Sequence, residues 1–193
     1  MTTKESTMIL LKKVQALKYK YALVPLLLVV GSFFLSNKLP KEIVQILSVS
    51  GMLLYLMILF KFRIGHVGIE IEPTAVVSPI SGKITSIDEH DSIVKIKIEK
   101  NNLDPCGIRF TFDNDIWEGD SLINSKTNLS CEFSSKKIIK NITDQSTQGA
   151  LAGFYLFRTS CSVCLSTDKI KANVKVGDKC FAGKTTLGFY NEN

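Results

Sequence analysis

Tyr21–Asn37, YALVPLLLVVGSFFLSN, and Ile43–Phe60, IVQILSVSGMLLYLMILF, contain no charged residue, and only Lys38-Leu39-Pro40-Lys41-Glu42 separates them. Each is close to the ~20 residues that an α-helix needs to cross a hydrocarbon core. A buried core helix is the competing reading of the second stretch, which is apolar on every face, from Ile43 and Leu47 through Leu53, Leu54 and Leu56 to Phe60. Lipid is the solvent that suits such a helix. The pattern therefore predicts a membrane hairpin over residues 21–61, with spans at 21–37 and 43–60. A cleaved signal peptide is the competing reading of the first stretch. No small-x-small site follows Ser36, however, and a second span comes at once.

Working outward, the flanks are basic. Lys4, Lys12, Lys13, Lys18 and Lys20 precede the first span, Lys61 and Arg63 follow the second, and the link carries Lys38 and Lys41 beside Glu42. Lysine and arginine bias puts both termini, and the domain that follows, on the cytoplasmic side of an inner or plasma membrane. Residues 1–20 form a basic lead-in. Within it, Ile9, Leu10, Val14 and Leu17 oppose Lys12, Lys13, Lys18 and Lys20 at helical spacing, a pattern suited to an anionic phospholipid surface. The formal charge of +6 is thus largely accounted for next to lipid, and the expected partners are the bilayer and a protein partner or second copy, not nucleic acid.

After a connector at 62–75, the period falls to two. Ser92–Glu99, SIVKIKIE, alternates apolar and charged residues as a half-buried strand does. Gly107–Phe112 alternates again, and Asn101–Pro105 is a turn. Shorter strands are expected at Leu129–Phe133, Lys137–Ile142, Ala150–Leu156, Ser162–Ser166, Ile170–Val176 and Lys179–Ala182, the last two around a turn at Val176-Gly177-Asp178. The acidic stretch Asp113–Asp115 with Trp117-Glu118-Gly119-Asp120 is expected to be an exposed loop, since it lacks the ligand order of a calcium loop. Residues 76–193 therefore read as one all-β domain, a small hybrid barrel or sandwich.

Five cysteines, at 106, 131, 161, 164 and 180, are expected as reduced thiols. Cys161 and Cys164 have CxxC spacing, but they sit in a strand-like run and the only histidines are His66 and His90. A zinc site needs more ligands than that, so no metal is expected. The same shortage excludes a lysostaphin-like metallopeptidase, whose domains also contain "SP-x-x-G-x-I" stretches.

Three further segments carry a family resemblance. Ser78-Pro79-Ile80-Ser81-Gly82-Lys83-Ile84 is followed by Ala152-Gly153-Phe154-Tyr155-Leu156-Phe157-Arg158. The chain then closes on Gly177-Asp178, Gly183 and Leu187-Gly188-Phe189. In this order and spacing the chain resembles the phosphatidylserine decarboxylases, whose bacterial members often begin with membrane spans. That resemblance implies a role in phospholipid metabolism and a pyruvoyl group made by self-cleavage at Gly-Ser. The pyruvoyl carbonyl takes up the electrons released on decarboxylation. It also implies an Asp-His-Ser arrangement for the cleavage.

The chain departs from the family at each of these positions. The family's serine falls on Phe189, after Gly188, and phenylalanine has no hydroxyl to attack a peptide bond. The family's Asp falls on Ser81, and its His on Cys106 within Asp104-Pro105-Cys106-Gly107-Ile108-Arg109. No pyruvoyl cofactor is expected unless the Gly188 region is processed, and the expected relative is non-catalytic. Arg158 is the residue to test for a phosphate contact. The alternative is a membrane-tethered, lipoyl-like β-barrel serving as an interaction or adaptor module. Lys83 and Lys184 fall in turns but lack the Met or Asp flanks of a modified lysine, so covalent attachment is not expected.

Overall fold

The computed structural model describes residues 3–65, 71–102, 104–135, 137–143, 146–155 and 159–191. Contacts divide the chain into two units, Leu11–Arg63 and a β-rich unit formed by Ile64–Asn193 with Met1–Leu10.

The basic lead-in and the first apolar stretch form one helix. Helix α1 runs unbroken over Thr3–Phe34, because Lys, Gln, Ala and Leu up to residue 20 and Ala and Leu beyond it are good helix formers. Leu10 and Val14 are buried, on the face predicted to be apolar. Pro25 sits inside α1, where it has no amide hydrogen to give. The helix stops at Phe34, three residues short of the predicted end. Leu35–Lys38 form turns, with the Lys38 amide bonded to the Leu35 carbonyl at 2.9 Å. Helix α2, Lys41–Lys61, starts directly after Pro40, with Glu42 in its first turn and Lys61 in its last, the favourable order for the helix dipole.

Within the helical unit the Ser32 and Ser48 hydroxyls lie 2.7 Å apart, joining α1 to α2. Both helices are long and apolar enough to cross a membrane. The 21 residues of α2 span roughly 31 Å, about one hydrocarbon thickness. Only 6% of its most apolar window is buried, and side chains such as Ile46 and Met57 are about two-thirds exposed.

The β-rich unit has thirteen strands among the described residues. In order they are β1 (Ala75–Val77), β2 (Gly82–His90), β3 (Ile93–Glu99), β4 (Gly107–Arg109), β5 (Ile116–Glu118), β6 (Ser121–Asn124) and β7 (Leu129–Phe133). They continue with β8 (Ile138–Lys140), β9 (Leu151–Tyr155), β10 (Ser160–Ser166), β11 (Ile170–Ala172), β12 (Lys179–Cys180) and β13 (Thr186–Tyr190). They form three open sheets with orders β1-β13-β11, β12-β2-β3-β10-β7-β6-β5 and β4-β9-β8. The architecture is therefore two apolar helices followed by a β-sheet domain. Alternation places the core: Val94, Ile96 and Ile98 of β3 and Cys161, Val163 and Leu165 of β10 are buried, while the residues between them face outward.

Three local expectations are corrected. Trp117–Asp120 is more than a turn: it belongs to the β5–β6 hairpin, where Gly119 takes φ +53°. Gly107–Phe112 is a strand only to Arg109, and its ladder with β9 carries a register shift between Ile108 and Arg109. Lys83 lies in β2 opposite Glu99 and Lys179, not in a turn. The early and late segments meet. Lys179 and Cys180 pair with Lys83 and Gly82, the Ser78 carbonyl accepts from the Gly183 amide at 2.8 Å, and β1 pairs with β13.

Candidate functional site

The positions that match the family's catalytic residues are spread over three sheets. Ser81 precedes β2; it is buried, and its hydroxyl accepts a hydrogen bond from the Ala182 amide at 3.0 Å. That bond fastens the two turns together. Cys106 is buried just before β4, and its carbonyl accepts from the Tyr155 amide. Gly188 and Phe189 lie mid-strand in β13, the central strand of its sheet, with Val76 and Ala172 opposite Gly188. A side chain at Gly188 would stand 2.6 Å from the Lys171 carbonyl oxygen, so close strand packing alone requires this glycine. Arg109, which ends the segment matched to the family's histidine motif, donates to the Gly149 and Gly65 carbonyls, and burial lowers its pKa. His66 and Arg158 lie outside the described residues; His90 ends β2 and is exposed.

A different constellation forms a recess in the β domain. Phe110, Asp115, Trp117, Lys140, Asn141 and Ile142 line a cleft of about 300 Å³. Its walls come from β5 and β8, which are edge strands of two different sheets. The Trp117 indole N–H donates to the Ala152 carbonyl at 2.9 Å, and the Asn141 side-chain amide donates to the Leu151 carbonyl at 2.7 Å. The Lys140 ammonium lies 5.5 Å from the Trp117 ring centre and is held by Asp120 at 2.7 Å and the Gly119 carbonyl at 2.5 Å.

Asp115 overturns the expectation of an exposed acidic loop. Asp113 and Asn114 are exposed, but Asp115 is 1% exposed. One of its oxygens accepts from the Thr111 amide, the Thr111 hydroxyl and the Phe112 amide at 2.6–3.0 Å, and the other accepts from the Asn124 side chain at 2.9 Å. Burial pushes the carboxyl up, and the bonds from Thr111, Asn124 and Phe112 pull it part of the way back. A carboxylate committed to four donors is a clamp on the 111–115 loop and is poorly placed to take a substrate proton. The cleft therefore presents an indole and one ammonium group, the latter already held by Asp120 and the Gly119 carbonyl. The sequence signal for Asp115 was local: Thr111, Asp113 and Asp115 around a break in alternation. The partner that buries it, Asn124, lies on β6.

The CxxC pair is divided by its strand. Cys161 and Cys164 both lie in β10, but Cys161 is buried and Cys164 half-buried on the other face. Three residues along a strand are roughly 10 Å, beyond the Cα separation of a disulfide and the wrong geometry for a shared metal. Burial raises all three affected thiols: Cys131, further raised by neighbouring Cys161; Cys164; and Cys180, pushed up to about 11. The expected labelling order follows. Near neutral pH a maleimide will modify Cys164 first and slowly, and the other four thiols only on unfolding. Mapping the label by peptide mass checks this, and early modification of Cys180 would contradict it.

No protein-family model, curated protein or solved structure matches the chain.

Proposed function

We propose that this chain is a bilayer-anchored relative of the phosphatidylserine decarboxylases that lacks the pyruvoyl chemistry and presents a phospholipid-binding β domain at the cytoplasmic membrane face. The observation that carries the reading is the pairing of β2 with β12. These strands belong to the early segment Ser78–Ile84 and the closing segment Gly177–Phe189, two of the three that carry the resemblance, and they fold against one another. A hybrid barrel is the finer form of the fold that this reading implies. The two apolar helices supply the anchor, and the basic flanks supply its orientation.

The loss of chemistry follows from the side chains. Self-cleavage needs a hydroxyl after Gly188, a base to activate it and an acid to orient the base. Phe189, Cys106 and Ser81 stand at those positions, and the Gly188–Phe189 peptide lies within a paired central strand.

The test is the intact mass of the membrane-purified protein and of a Phe189→Ser variant. A single chain of 21.4 kDa is expected for the wild type, and an uncleaved chain for the variant as well. Loss of a peptide after Gly188, or a keto-acyl N-terminus, would overturn the non-catalytic reading. Co-purifying phospholipid supports kinship with the lipid enzymes. A stoichiometric protein in its place would favour the interaction-barrel alternative.

A further inference from the structure

The edge of the β domain carries an unusual combination of residues. Lys171, Lys175, Lys179 and Lys184 are all exposed between residues 171 and 184, and Lys83 is exposed beside them. Among them Val176 is 60% exposed and Phe181 48% exposed. Both apolar side chains sit on ordered turns. Gly177 donates to the Ile84 carbonyl, Ile84 donates to the Asp178 carbonyl (both 2.9 Å), and Asp178 accepts from the Lys175 amide at 2.8 Å. At the second turn, Lys184 and Thr185 donate to the Phe181 carbonyl at 3.0 Å, and the Thr185 hydroxyl accepts from the Phe181 amide at 2.9 Å.

Charge is concentrated here against its own interest. Lys179 stands directly opposite Lys83 across the β2–β12 ladder, and like charges at that spacing are destabilising. Glu99, on the other side of Lys83, lies 3.1 Å from Lys97. Asp178 is tied to the Lys175 amide. Lysine on an edge strand is a common guard against aggregation, but a guard has no use for an exposed Phe and Val at its tips. Lys179 lies 5.4 Å from the Phe181 ring, so cation and ring form one unit.

Apolar tips within a collar of lysines suit one environment, the headgroup layer of an anionic bilayer. There the side chains enter the acyl boundary while the lysine stems reach up to phosphate. We infer that the Lys175–Lys184 edge is a second membrane contact, docking the β domain on an anionic phospholipid surface. The inference rests on the bilayer-anchored reading above.

To test it, the full chain is placed in phosphatidylcholine nanodiscs and floated with labelled vesicles, either of phosphatidylcholine alone or containing about 30 mol% phosphatidylglycerol. The expected result is capture of the anionic vesicles only, with release at about 0.5 M NaCl. Val176→Ser with Phe181→Ser, and separately Lys175→Glu with Lys179→Glu, are expected to lower capture about tenfold or more without lowering the unfolding midpoint. Equal capture by both variants would assign binding to the N-terminal lysines and overturn the inference. So would failure of the wild type to capture anionic vesicles, which would leave the edge to a protein partner. Nanodisc incorporation is scored separately: a chain that stays soluble without lipid or detergent sinks the anchored reading, whatever the vesicles do.

Discussion

Gly82→Ala is expected to destabilise the β domain by about 3 kcal/mol or more, a large share of the 5–15 kcal/mol that holds a typical domain together. A Cβ at this position would collide with the Glu99 carbonyl oxygen, lie 2.8 Å from its carbon and 3.1 Å from Ile98 Cγ2. Glu99 cannot move aside, because β3 is an inner strand with Ser160 of β10 opposite Glu99 on its far side. Nor can Gly82, which pairs with Cys180 of β12. Contact with backbone on a fixed strand has no rotamer by which to escape. Trp117 is the only tryptophan, so its fluorescence follows urea unfolding of the β domain without labelling. A variant with the wild-type midpoint and slope would show that the β2–β3 approach is looser than described.

Asp115→Ala is expected to be about as damaging. It leaves the Thr111 and Phe112 amides and the Asn124 side chain without their acceptor in a buried site. Each orphaned donor costs about 1–3 kcal/mol, so a total near 3 kcal/mol or more follows. Asp115→Asn keeps the shape but turns donors toward donors at one oxygen, and about half that loss is expected. The pH dependence has a definite sign. Burial raises the carboxyl above its ordinary 3.8, so the folded protein holds this proton at pH values where the unfolded chain has released it. The resulting stabilisation is fully present below 3.8 and is lost as pH rises through the folded value. Urea midpoints across that range should therefore fall more steeply with pH in the wild type than in Asp115→Asn. Parallel curves would mean that Asp115 titrates normally.

What the sequence disclosed follows from how local each signal is. The two apolar stretches and β3 are legible because many consecutive residues repeat one pattern. Leu129–Phe133 is read to the residue for the same reason. The β5–β6 hairpin escapes because its strands are three and four residues long and hold Trp, Glu, Ser and Asn, a composition that reads as a turn. Strand β13 escapes because Thr186–Tyr190 contains Gly188, which weakens any strand pattern until the close approach of β11 gives it a purpose. The cleft was legible only in part. Trp117 and the nearby acids stand out in the sequence, but Lys140 and Asn141 join them through the β8–β9 pairing, which no window of adjacent residues contains.

The β1–β13 ladder has a consequence for the order of events in synthesis. Residues 75–77 emerge well before their partners Thr186, Gly188 and Phe189. Until then the buried run Ala75-Val76-Val77 has no sheet to join, and the edge it will fill on β13 does not exist. Contacts between sequence-distant segments form slowly because the loop between them must first close. During that interval the nascent domain carries an exposed, strand-forming apolar segment, the kind of surface that chaperones attend. β1 is therefore secured only once β13 has been made.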